Sequence, residues 1–338
     1  MSPVKALFGA AIASLAMALT APVSAQNLDK LKVRLDWTPW GVQAPFHLAM
    51  QKGWYKQAGL DVSLEDGNGS VTTVQLVGSS DQFDVGHAAL APMMIARDKG
   101  LPVKAVAVFA RQSDVGLLVP QGAGIKGPKD LKGKKIAYTT GSLEAPFIDA
   151  FLASGGLKRS DVELVSVDAA GKAATYAAGR TDAAFSSVPF FLPVVSATRP
   201  SESILFAQAG LHMPSFGLFA SEEKIKAKRD ALTRFASITA GAWQYIFDGH
   251  QDEAVDAIVA QRPQAKLDKK VLRGQIDALK PHLNSANSAG QPVGVNMEKD
   301  WAEAVKTLVS ANVIKAGADP KSFYEPNMVR PDVFKKLK

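Results

Sequence analysis

Between residue 31 and about residue 220, short apolar β-branched runs alternate with segments of helical period. Strands separated by single helices pair in parallel through right-handed crossovers, which lay helices on both faces of a sheet. The pattern predicts strands at 32–36, 60–64, 83–86, 103–110, 116–119, 135–138, 162–167 and 183–186, and helices at 45–58, 71–77, 92–99, 143–153 and 172–178. From residue 224 the chain turns helical, with Phe235, Ile238, Ala242, Tyr245 and Ile246 on one face and Trp301, Val305 and Leu308 on another. A chain of 338 residues exceeds one ordinary core, so two α/β domains are expected.

The N-terminus bears on location. Lys5 precedes an apolar run at 6–19, and Val23-Ser24-Ala25 offers a small-residue cleavage site. This is the anatomy of a secretory signal peptide over residues 1–25. The run is shorter than the ~20 apolar residues of a spanning helix. The chain has no Cys, which excludes disulfides, thiolate metal sites, a cysteine nucleophile and a lipid anchor on a cleavage-site Cys. The expected compartment is a bacterial periplasm. The net charge of +7 comes from scattered Lys and Arg, without zinc-finger spacing or aromatic–basic interleaving, so no nucleic-acid partner is expected.

In open α/β sheets ligands sit beyond the carboxyl ends of the strands, where helix N-termini point N–H groups outward. That rule selects 37–43, 67–70, 86–89, 109–113, 139–144 and 186–190. These segments bring small hydroxyls (Ser70, Thr140, Ser142, Ser186, Ser187) together with Gln43, Ala88, Gln112 and the aromatics Trp37, Trp40 and Phe190. Such walls suit a small, partly planar organic ligand. Phe109 and Phe185 lie inside strand patterns and read as core. His87, at a strand end, reads equally as ligand contact or satisfied polar group; His47, inside a helix, reads as the latter. Glu144 could supply a carboxylate or be an exposed helix-start residue. No H-E-x-x-H, G-x-S-x-G or P-loop is present, so a zinc protease, an α/β-hydrolase and a nucleotide-phosphate site are unsupported, and no metal or cofactor is expected.

Leu35-Asp36-Trp37-Thr38-Pro39, Gly53-Trp54-Tyr55 followed by Gly59-Leu60-Asp61-Val62, Asp84-Val85-Gly86, Gly100-Leu101-Pro102-Val103, Asp130-Leu131-Lys132-Gly133-Lys134 and Phe323-Tyr324-Glu325-Pro326 stand in order along the chain. Together they resemble the NMT1/THI5-like solute-binding proteins of ABC importers for nitrate, sulfonates, taurine and thiamine precursors. The resemblance implies a two-lobed type II periplasmic binding fold with a hinge, mainly parallel sheets and helices on both faces. It places the crossings near Ser113 and His212, giving one lobe of 26–113 plus 213–338 and another of 114–212. It also adds Tyr324 to the candidate ligand-binding residues. The implied role is a monomeric binding component that hands a thiamine-pyrimidine-like aromatic or heteroaromatic compound to a membrane permease; an alkyl or aryl sulfonate is the alternative ligand. Fungal relatives with this fold make the thiamine pyrimidine using a Cys-rich iron motif. With no Cys here, the expectation is a binding protein and not an enzyme.

Overall fold

The computed structural model describes residues 27–337, so the expected signal peptide lies outside the described residues. Ten strands are present among them: β1 (Asp29–Arg34), β2 (Leu60–Glu65), β3 (Val85–Ala89), β4 (Val103–Val108), β5 (Val115–Pro120), β6 (Lys135–Tyr138), β7 (Glu163–Ser166), β8 (Ala183–Ser187), β9 (Ser201–Leu205) and β10 (Phe216–Ser221). They form two five-stranded sheets of matching order, β2-β1-β3-β10-β4 and β7-β6-β8-β5-β9.

Four strands of each sheet run one way and one is reversed. β10 is antiparallel to β3 and β4, and β5 is antiparallel to β8 and β9. The reversal follows from the connections. The chain leaves the first sheet after β4 through residues 109–114 and returns after β9 through 206–215. β5 and β10 therefore each begin where the carboxyl ends of their neighbours lie and run away from them. This turns the carboxyl ends of the two sheets toward one another. The crossings are bonded together: Phe109 N and Ala110 N each donate to Phe216 O at 2.9 Å, and Ser215 N donates to Ala110 O at 2.9 Å. The buried Asp114 carboxylate accepts from Ser215 Oγ and from Ser187 Oγ.

Central strands β3 and β8 are buried along their whole length, as expected for strands flanked on both sides and covered on both faces. The helix Arg229–Phe247 packs Phe235 against Tyr55 and Phe46, with ring centroids 5.1 and 6.0 Å away. Tyr55 Oη lies 2.8 Å from Thr239 Oγ1, which satisfies an otherwise costly buried hydroxyl. No helix among the described residues is long and apolar enough to cross a membrane.

Three differences from the sequence pattern have physical causes. The segment 45–58 is two helices, Ala44–Gln51 and Trp54–Gln57, because Gly53 turns left-handed at φ +69°. The helix Val188–Val195 contains Pro189 and Pro193, which hid it. Pro189 sits in the first turn, where its missing N–H costs nothing, and the helix bears Pro193 near its end. β9 and β10 escaped because only the short 3-10 turn Phe206–Ala209 separates them, so the alternation of strand and α-helix that marks the other strands stops there.

Candidate functional site

The seam between the facing sheet ends is lined by Asp36, Trp37, Trp40, Leu143, Lys172, Ser186, Ser187, Phe190 and Phe216. The loop after β1 supplies the two tryptophans. Buried Gln43 holds that loop in shape by donating from Nε2 to Trp37 O at 3.1 Å. From the other sheet, the helix Val188–Val195 inserts Phe190, and Ser187 caps that helix. The Phe190 ring meets both indoles edge-on, at 6.1 Å and 77° for Trp37 and 5.4 Å and 72° for Trp40. Trp40 in turn meets Phe216 at 5.4 Å. Gln275, on the helix Lys269–Leu279, clamps the seam: its Oε1 accepts from Gly41 N at 3.0 Å and its Nε2 donates to Phe190 O at 2.9 Å. Gly41 is required here, since a Cβ would lie 2.8 Å from Gln275 Cβ.

The charges on the two sides are handled differently. Lys172 Nζ is buried, 2.8 Å from Glu144 Oε1 and 3.0 Å from Phe185 O, and it lies 5.4 Å from the Trp37 ring centroid. Glu144 Oε1 also accepts from Thr139 N at 3.2 Å. Asp36 faces His87 Nδ1 at 3.5 Å, a charge contact longer than an ordinary hydrogen bond. Burial pushes the Asp36 carboxyl above the usual carboxylate range, with His87 opposing that shift. His87 is enclosed by Phe46, Phe216 and Phe109, at 4.9, 5.5 and 6.4 Å.

Several buried polar atoms have no hydrogen-bond partner among the described residues: Asp36 Oδ1, Trp37 Nε1, Trp40 Nε1, both ring nitrogens of His87, Ser142 Oγ and Glu144 Oε2. Each such atom costs about 1–3 kcal/mol in a finished core, and those of Asp36, Trp37 and Trp40 sit on residues that line the cavity. The cavity itself is about 10 Å³, room for roughly one water. A planar ring enters only as the two sides part.

Among the residues anticipated from sequence, Trp37, Trp40, Ser187 and Phe190 line this seam. His87, Ser142 and Glu144 are buried; the structure places Glu144 in an ion pair, not at an exposed helix start. Ser70 accepts from Ala89 N at 3.1 Å, and Ala88 is buried in β3 opposite Gly217. Three more make their contacts elsewhere. Gln112 is exposed on the first crossing, donating to Asn284 O. Thr140 is exposed, 3.1 Å from Ser166 Oγ. Tyr324 stacks on Trp301 at 5.7 Å and bridges to Ala105 on edge strand β4.

The sequence reading passed over Lys172, Phe216 and Gln275. Lys172 lies beyond the carboxyl end of β7, so the strand-end rule reaches it once applied to that strand. Phe216 opens β10, which the pattern did not reveal. Gln275 arrives from a helix more than 200 residues away, with no local signal.

Residues 40–254 match the family described as NMT1/THI5 like. The chain is 33% identical over 140 residues to the 4-amino-5-hydroxymethyl-2-methylpyrimidine phosphate synthase THI11 of Saccharomyces cerevisiae, covering 41% of each chain. It is 25% identical over 248 residues to a Haemophilus influenzae protein named for thiamine biosynthesis, covering 72% of this chain and 77% of that one. The periplasmic aliphatic sulphonate binding protein SsuA of Escherichia coli superposes with a TM-score of 0.64 at 16% identity, over 89% of this chain and 94% of that one. At that identity the likeness speaks for the fold, which is that of periplasmic binding proteins. The expectation of a protein that is not an enzyme needs correction, because relatives such as the S. cerevisiae protein are named as synthases. With its fold and 215 residues of matched sequence, the chain belongs to the NMT1/THI5-like family.

Proposed function

We propose that the seam captures a small planar heterocycle that bears both an N–H donor and a ring acceptor. Under this reading the two bodies, 27–113 with 213–337 and 114–212, are lobes that close on it, and the closed form is presented to an ABC-type permease at the membrane from the periplasmic side. The observation that carries the proposal is the set of unpartnered, buried polar atoms on aromatic walls: two indole N–H donors beside the Asp36 acceptor. A ligand touching both lobes selects the closed state. A sulfonate suits the site poorly, because Lys172 is already neutralised by Glu144 and the adjacent Asp36 is acidic.

The test is a thermal-shift panel containing 4-amino-5-hydroxymethyl-2-methylpyrimidine, ethanesulfonate and nitrate. Stabilisation by the pyrimidine alone supports the reading. Stabilisation by ethanesulfonate alone refutes it. A second reading, turnover of a pyrimidine precursor, is favoured by the name of the S. cerevisiae relative. Product formation from the bound heterocycle, followed by chromatography, separates it from capture.

A further inference from the structure

The segment Gly67-Asn68-Gly69-Ser70 stands out in the sequence, yet no atom of it lines the cavity. Its use lies elsewhere. The helix Ser70–Ser79 begins there, and the first N–H groups of a helix have no partner within it. Val71 N and Thr72 N donate at 2.9 and 3.3 Å to Gly141 O, which belongs to the loop after β6 in the other body. One carbonyl from across the seam thus takes two orphan donors at the positive end of a helix.

Both sides have the shape this contact demands. Gly141 is left-handed at φ +83°, and a Cβ there would lie 2.7 Å from Thr72 Oγ1. A Cβ on Gly69 would lie 2.3 Å from Gly141 O. Each side is also tied to the cavity walls. Gly69 N donates to Asp36 O at 2.7 Å and Gly67 N to Trp37 O at 3.1 Å. Across the seam, Ser142 N donates to Thr139 O at 3.2 Å, and Thr139 N to Glu144 Oε1 at 3.2 Å.

We infer that the helix N-terminus and Gly141 form a closure latch, a contact that holds the two bodies together through protein atoms alone and reports the position of the cavity walls. The inference rests on the two-body architecture and not on the identity of any ligand.

Hydrogen exchange at the Val71 and Thr72 amides reads the latch directly, in protein without added ligand. Gly141→Ala should speed exchange at these two amides roughly tenfold, the value of one to two hydrogen bonds, with the melting temperature nearly unchanged. Gly69→Ala should do the same from the other side. Adding Thr72→Ala, at an exposed residue, to Gly141→Ala removes the atom the new methyl meets and should restore part of the protection, the remainder being the cost of Ala at φ +83°. Small-angle scattering should show Gly69→Ala more extended than the parent. The inference is overturned if both glycine variants exchange like the parent. It is equally overturned if protection is lost only in step with global unfolding, which makes the contact part of the fold.

Discussion

The two sides of the seam are built on sheets of the same strand order, yet they differ in how far they satisfy their polar groups. The second sheet pairs its charges: Lys172 is held by Glu144 and a backbone carbonyl, and Ser187 by Asp114, with Ser142 Oγ and Glu144 Oε2 left open among the described residues. The first sheet leaves Asp36 Oδ1, both indole N–H groups and the ring nitrogens of His87 without hydrogen-bond partners among the described residues. A side that neutralises itself can act as a preformed cover. A side with open polar atoms stores free energy that a bound molecule can recover.

The largest expected effect is on the cover. Lys172→Met strands a buried Glu144 carboxylate and should cost about 3–5 kcal/mol of stability. Adding Glu144→Gln should recover most of that loss, measured by chemical denaturation. Full stability in the single variant would break the contrast, since Lys172 would then not be internally committed.

Asp36→Asn should act in the opposite direction. An acid whose folded pKa is raised favours the protonated folded form, so it costs stability once pH rises above the unfolded value of 3.8. The variant should therefore melt higher than the parent at neutral pH, with the gain vanishing in acid. The acid background comes from His47, buried against Gln261 and lowered by burial to about 4. A depressed histidine costs stability as pH falls from 6.5 toward 4, here up to about 3 kcal/mol. His47→Gln should flatten that slope in melts taken across the window.

The strand-end rule found Trp37, Trp40, Ser187 and Phe190 because their positions follow from local alternation. It also selected Gln112 and Thr140, which are exposed and off this cavity, because being beyond a strand end does not fix which way a side chain points. Tyr324 came from a resemblance of motif, and its aromatic ring is used in packing on Trp301. The role of Glu144 stayed open because its partner Lys172 arrives from another loop, and long-range ion pairs leave no periodic trace. The two crossing strands were half legible: β5 was apolar and short, while β10 followed β9 with only a 3-10 turn between them.

Two smaller effects sharpen the contrast further. Trp37→Ala should weaken ligand binding by about 1–3 kcal/mol through lost stacking. Ser142→Ala should cost about 0.5–1.5 kcal/mol in binding if the unpartnered Oγ serves the ligand, and should leave stability unchanged or higher. Calorimetry and melting on the same preparations read both quantities.

The most direct test of the open side is a calorimetric titration of 4-amino-5-hydroxymethyl-2-methylpyrimidine into the parent protein and Asp36→Asn at neutral pH. The account predicts saturable binding to the parent, and at least roughly tenfold weaker binding to the more stable variant, the value of one hydrogen bond to a charged group. Equal affinity in the two proteins would contradict it, because the Asp36 carboxylate would then have no part in recognition.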